Sequence, residues 1–212
     1  MSTTSSAFVY TEVQLAVPFR DAPWRALNTV LLTQPGLRNK TWLAGVGNQS
    51  VGGFYEFDHL DHARRFVTGY FPAEARQLGV AQTTRIFDGE PVREASRGLN
   101  SPHFGAAVKA RPGAFVYTEV QVGVPFAQAP WHDLNPVLAA QPGLLHKTWL
   151  AGVGTHSLGG FYAFDTLDHA RRFALEYFPG EAAKLQAAFT TRLFDAALVE
   201  EASRPLRSPY FA

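Results

Sequence analysis

The stretch Lys-Thr-Trp-Leu-Ala-Gly-Val-Gly occupies residues 40–47 and returns, letter for letter, at residues 147–154. Its Gly-Val-Gly could cradle a phosphate only if the turn opened a helix whose first amides face the anion. The chain continues instead with Asn-Gln-Ser and then Gly-Gly-Phe-Tyr-Glu-Phe, a second alternating run. Two such runs around a glycine-containing turn predict a β-hairpin, with glycine serving the positive φ angles.

Working outward, the identity does not stop at eight residues. Adding 107 to any position from 8 to 105 reaches its counterpart between 115 and 212 without a gap, and about two thirds of the pairs are identical. Phe-Val-Tyr-Thr-Glu-Val-Gln recurs at 8 and 115, Gly-Gly-Phe-Tyr at 52 and 159, and Leu-Asp-His-Ala-Arg-Arg-Phe at 60 and 167. Residues 105–114, small and Pro/Gly-containing, read as a linker. The expected organisation is therefore module 1 over 8–104, a linker over 105–114, and module 2 over 115–212.

Each copy reads as βαββαβ. Residues 8–17 alternate as a two-faced strand. Asp21 is the expected N-cap of a helix running to about Thr33, with Pro23 in its first turn. Strands come next at 40–44 and 52–57. Residues 58–70 have helical spacing, and Pro72 interrupts that helix or begins a second piece. A last strand covers 83–87, with a short helix around 92–97. This order predicts an α+β fold of two ferredoxin-like modules, each a four-stranded antiparallel sheet with both helices on one face. The uncovered sheet faces are expected to close on each other as an intrachain dimeric α+β barrel.

The 212 residues carry a net charge of +1, which gives no electrostatic case for nucleic acid or an anionic membrane. No cysteine is present, which removes disulfides, thiolate metal sites and a Cys nucleophile. No run reaches membrane-span length and the first residues do not read as a secretory signal, so a cytoplasmic location is the expectation. No His-Glu-x-x-His or paired-carboxylate spacing suggests a metal. Seventeen Phe, seven Tyr and four Trp supply many rings to line a cavity.

The Pro-Gly-x-x-x-Lys-x-Trp signature, succeeded at fixed distance by Gly-Gly-Phe-Tyr and then by Thr-Thr-Arg-Ile-Phe-Asp, resembles the YdhR-type monooxygenase family of the dimeric α+β barrel superfamily. The resemblance covers nearly all of each copy. It implies a barrel-type fold and a cofactor-independent oxygenase acting on a hydrophobic or aromatic metabolite, with no cofactor expected. Members are usually single modules that dimerise, so two copies in one chain depart from the pattern. Glu12 and Glu119 also stand where the family tends to carry His.

If Leu43 faces the helices, Lys40 and Trp42 face a barrel interior together with Tyr10 and Glu12. On that reading Glu12 and Glu119 are the catalytic bases, and Lys40, Lys147, Arg85 and Arg192 hold the anion. Tyr10, Tyr117, Trp42, Trp149, Phe54, Phe161, Phe87 and Phe194 form the walls. Glu56, replaced by Ala163 in the second copy, makes the two halves unequal. The plain alternative has Glu12 paired with Lys40 or Arg85 as a satisfied polar layer. The same pocket also suits an isomerase, cyclase or lyase using Glu acid–base chemistry, or a non-catalytic protein that binds a small ligand.

Overall fold

The computed structural model describes residues 6–211. In chain order its elements are β1 (Ala7–Gln14), α1 (Trp24–Leu31), β2 (Leu37–Ala44), β3 (Ser50–Phe57), α2 (Leu60–Arg65), α3 (Phe71–Leu78), β4 (Gln82–Asp88) and α4 (Arg93–Arg97). The second repeat supplies β5 (Ala114–Gln121), α5 (Trp131–Ala139), β6 (Leu144–Gly152), β7 (Ser157–Phe164), α6 (Leu167–Arg172), α7 (Phe178–Lys184), β8 (Phe189–Asp195) and α8 (Glu200–Ser203). The fold is α+β, and every strand pairing within each unit is antiparallel.

The compact units do not coincide with the expected modules. One comprises residues 6–90 together with 198–211, and the other residues 91–197. The last segment of each repeat therefore belongs to the unit built on the other repeat. The reason lies at a sheet edge. In the first unit β1 sits between β3 and β4, and β2 flanks β3. Along β2 the Trp42 amide donates to Ser203 Oγ at 2.9 Å, Thr41 Oγ1 meets Ser208 Oγ at 2.8 Å, and Arg207 donates to the Leu37 carbonyl. In the second unit β6 receives the same treatment from the end of the first repeat. The Trp149 amide donates to Ser96 Oγ, the Lys147 amide to the Leu99 carbonyl, and Thr148 Oγ1 meets Ser101 Oγ. At β2, which pairs with β3 on one side, such cover satisfies ladder groups that would otherwise invite another strand.

The hairpin expectation holds: β2 and β3 pair around a turn in which Gly47 has φ +76°, and Gly154 repeats it at +71°. The first helix differs. Asp21 lies in a short 3₁₀ turn (Phe19–Asp21), Pro23 holds the N-cap position, and α1 ends at Leu31. Phe19 is buried against Trp42, with ring centroids 5.9 Å apart, and this anchors the turn ahead of the helix. Pro72 does not break the second helix. A π turn (Phe66–Tyr70) joins α2 to α3, with the Phe71 amide reaching back to the Phe66 carbonyl, and Pro72 falls in the first turn of α3. In the second repeat the left-handed C-terminal residue Gly79 is replaced by Gln186, which keeps φ +51°.

Candidate functional site

The strand registers decide which side chains can meet. Val9 pairs with Tyr55 and Tyr55 with Lys40, while Trp42 pairs with Gly53. Directly paired residues share a face, so Lys40, Trp42, Tyr55, Phe57 and Val9 lie on one side of the sheet. That side carries the helices, because the rings of Tyr55 and Phe57 stand 4.9 and 5.2 Å from that of Phe66. Tyr10, paired with both Phe54 and Arg85, lies on the opposite face with Glu12, Glu56, Phe87 and Leu43.

The expectation that Lys40 and Trp42 share a face with Tyr10 and Glu12 is therefore corrected, and the same holds for Lys147 and Trp149 against Tyr117 and Glu119. Its premise was that Leu43 faces the helices. Leu43 and Trp42 are both buried, at 0% and 3% exposure, so hydrophobicity does not distinguish the two faces of this strand.

On the helix side each repeat builds a lysine clamp. Lys40 is 1% exposed; its Nζ lies 2.7 Å from the Trp42 ring centroid and 4.9 Å from that of Tyr55. Lys147 shows the same distances to Trp149 and Tyr162 and the same exposure. The glycine opposite each tryptophan makes room for the lysine stem. A Cβ on Gly53 would stand 2.5 Å from Lys40 Cε, and one on Gly160 would stand 2.6 Å from Lys147 Cε. The Lys-x-Trp and Gly-Gly-x-Tyr signatures are thus two halves of one arrangement. Among the described residues neither amine has a hydrogen-bond or ion-pair partner. Burial holds both amines well below the ordinary lysine range, with the carboxylate of Glu74 partly opposing this at Lys40.

Each indole is fixed by a relay. Trp42 Nε1 donates to Asn28 Oδ1 on α1, and Asn28 Nδ2 donates to the Ala202 carbonyl. In the second unit Trp149 uses Asn135, which donates to the Ala95 carbonyl. The segments from the opposite repeat therefore hold the clamp as well as the sheet edge.

In the second unit the clamp opens into a cavity of about 500 Å³. Its walls are apolar, with Val120, Leu134, Leu138, Leu158 and Phe178 among them, and Lys147, Trp149 and Tyr162 at one side. Tyr177, Glu181 and Lys184 also line it. Burial raises the Tyr162 hydroxyl well above the usual phenol range, so it stays protonated, and Thr118 Oγ1 lies 3.4 Å from it.

The two clamps differ at their carboxylate. In the first unit Glu74 hydrogen-bonds Tyr70 and acts on Lys40. In the second, Glu181 pairs with Lys184 at 2.6 Å, and Lys184 replaces Gln77. Sequence reasoning missed Tyr55, Tyr162, Glu74 and Glu181. The Tyr-Phe-Pro-x-Glu spacing, which sets Glu four residues after Tyr, was the available signal.

The other predicted residues lie outside this cavity. The Tyr10 hydroxyl donates to Glu12 Oε2, and that of Tyr117 to Glu119 Oε2 at 2.7 Å. Phe8 stacks on Phe54 and Phe115 on Phe161, at 5.4 and 5.1 Å. Phe87 and Phe194 are buried on that same face, and Arg192 pairs in register with Tyr117. Arg85 donates to the Thr84 carbonyl. Glu56 accepts from Ser6, Arg38 and Asn39. All four members of this cluster change together in the second repeat, to Gly113, Leu145, His146 and Ala163.

The fold places the protein among ferredoxin-like α+β proteins. Solved structures similar to it include a "putative chlorite dismutase" (TM-score 0.57, 13% identity, 95% of this chain and 99% of that one). A "putative monooxygenase" from Lactobacillus acidophilus has TM-score 0.53 and 10% identity, over 90% of this chain and 93% of that one. An "anthrone oxidase-like protein" has TM-score 0.52 and 14% identity, over 92% of each. No family model and no curated protein matches the chain. At such identities the likeness concerns the fold. Among the described residues, no helix is long and apolar enough to cross a membrane.

Proposed function

We propose that the protein is a small-molecule enzyme of the cofactor-independent oxygenase type, and that its working site is the helix-side cavity of the second unit. The observation that supports this most directly is the buried amine of Lys147, which has no hydrogen-bond or ion-pair partner among the described residues and lies against Trp149 and near Tyr162 beside a largely apolar cavity. Burial favours the neutral form of this amine, in which it can act as a base. It takes a proton from an apolar substrate carrying an acidified methylene or a phenol, and the resulting ammonium then holds the substrate oxyanion in a dry pocket. The bound anion gives its electrons to O₂. A methylene becomes a carbonyl, one oxygen atom is retained, and the other leaves as water with both methylene hydrogens, so no external reductant is required. In this reading the base is Lys147 and not Glu119, because Glu119 lies on the opposite sheet face from this cavity.

The test is oxygen uptake by the purified full-length chain with a panel of tricyclic CH-acids and phenols. Uptake that disappears in Lys147→Met supports the reading. Turnover that persists under strict anaerobiosis replaces it with an isomerase, cyclase or lyase using the same base. Uptake lost in Glu119→Gln but kept in Lys147→Met moves the chemistry to the other face. Binding without turnover under either atmosphere leaves a ligand-binding protein.

A further inference from the structure

The Lys147 amine has a lone pair as well as basicity, and its surroundings suit bond formation. Its nitrogen lies against the Trp149 face, its stem is seated over Gly160, and among the described residues no hydrogen bond or carboxylate engages it. The nearby carboxylate of Glu181 is held instead by Lys184. Lys40 has the same clamp but sits in the field of Glu74, which favours its protonated form. The cavity beside Lys147 is walled mainly by aliphatic and aromatic groups, and its other charged lining residues, Glu181 and Lys184, pair with each other, so a ligand there is largely apolar with one polar atom at the amine.

Resting on the reading that this cavity is the ligand site, we propose that Lys147 captures apolar aldehydes as a Schiff base. The nitrogen lone pair attacks the carbonyl carbon and a carbinolamine forms. Its hydroxyl then leaves with the remaining N–H proton as water, giving a planar imine. No oxidant or reductant takes part. The imine carbon lies on the cavity side of the amine, beside Trp149 and Tyr162, and the apolar remainder lies along Leu134, Leu138 and Phe178. Desolvated lysines in apolar pockets are activated for this chemistry because the free amine predominates.

The chain contains only four lysines, at positions 40, 109, 147 and 184, so site selectivity is directly readable. The full-length protein is incubated near neutral pH with decanal or 2-naphthaldehyde, reduced with cyanoborohydride, and mapped by peptide mass spectrometry. The expected result is one dominant adduct at Lys147, at least tenfold over each other lysine. Leu134→Trp, which narrows the cavity, should slow labelling at Lys147 at least tenfold while thermal unfolding stays cooperative. Labelling of Lys109 or Lys184 at the rate of Lys147, or labelling of Lys147 only in urea, overturns the proposal. Oxygen uptake without any Lys147 adduct overturns imine formation alone. An adduct without oxygen uptake overturns the oxygenase reading alone.

Discussion

Gly160 lies beneath the side chain of Lys147, so close that a Cβ added there would stand 2.6 Å from Lys147 Cε and 2.6 Å from the Tyr162 ring. The glycine is thus required by a side chain on the neighbouring strand, and its own backbone needs no unusual φ. Gly160→Ala should lower stability by about 1–3 kcal/mol through overpacking. It should also displace the amine, so oxygen uptake and aldehyde labelling should fall together. Urea unfolding and both assays on the same variant check this.

Lys147→Met should stabilise the protein, and the gain should depend on pH. Burial depresses the folded-state pKa of this lysine, so between that value and the ordinary lysine range the unfolded chain binds more protons than the folded one. Wild-type stability therefore rises with pH across this window, by about 1.4 kcal/mol per unit at most from this group. The variant lacks that slope, and its advantage should grow as pH falls from about 10. Chemical unfolding of both proteins between pH 6 and 10 measures the difference.

Gln186 holds a left-handed conformation that its counterpart Gly79 adopts without strain. Gln186→Gly should stabilise the protein by about 0.5–1 kcal/mol, while Gly79→Ala should cost about as much or more. Differential scanning calorimetry of the two variants checks both signs.

Removing residues 198–211 should damage the unit built on the first repeat. The Trp42 amide loses Ser203, and Asn28 loses the Ala202 carbonyl. The Trp149 amide keeps Ser96. Hydrogen exchange should therefore accelerate at Trp42 and not at Trp149. Ser203→Ala alone should cost about 1–3 kcal/mol by leaving a buried amide unsatisfied.

Glu56→Ala alone should be destabilising by several kcal/mol, roughly 2–4, because Arg38, Asn39 and Ser6 lose their shared acceptor. The combined Ser6→Gly, Arg38→Leu, Asn39→His and Glu56→Ala variant copies the second repeat. It should recover much of that loss, which a double-mutant-cycle treatment of denaturation midpoints would reveal.

The local pattern of the fold was legible in the chain. Alternation in β1, the glycine hairpin and the helical spacing of residues 60–70 each arise from short-range chemistry. Two features were hidden for physical reasons. Facing was hidden because β2 and β3 are buried on both sides, so alternation gives a period without saying which phase meets the helices. Glu56 and Tyr55 are equally enclosed, at 5% and 2% exposure. Pairing across the repeats was hidden because Ser96 and Ser203 occupy equivalent, nearly identical contexts, and no sequence pattern says which copy each serves. The candidate site suffered from the first gap: Lys, Trp and Gly-Gly-x-Tyr stand out in the chain, but alternation alone attaches them to the wrong neighbours.

The exchanged segments also set an order of events during synthesis. The strands of the first unit are complete by Asp88, yet the groups that close their β2 edge lie beyond residue 197, more than a hundred residues later. At translation rates of about 5–20 residues per second, that edge stays open for roughly 5–20 seconds. The second unit already has its closing segment, residues 91–104, before its own first strand is made. The half of the protein that is written second is therefore the half that can finish folding first.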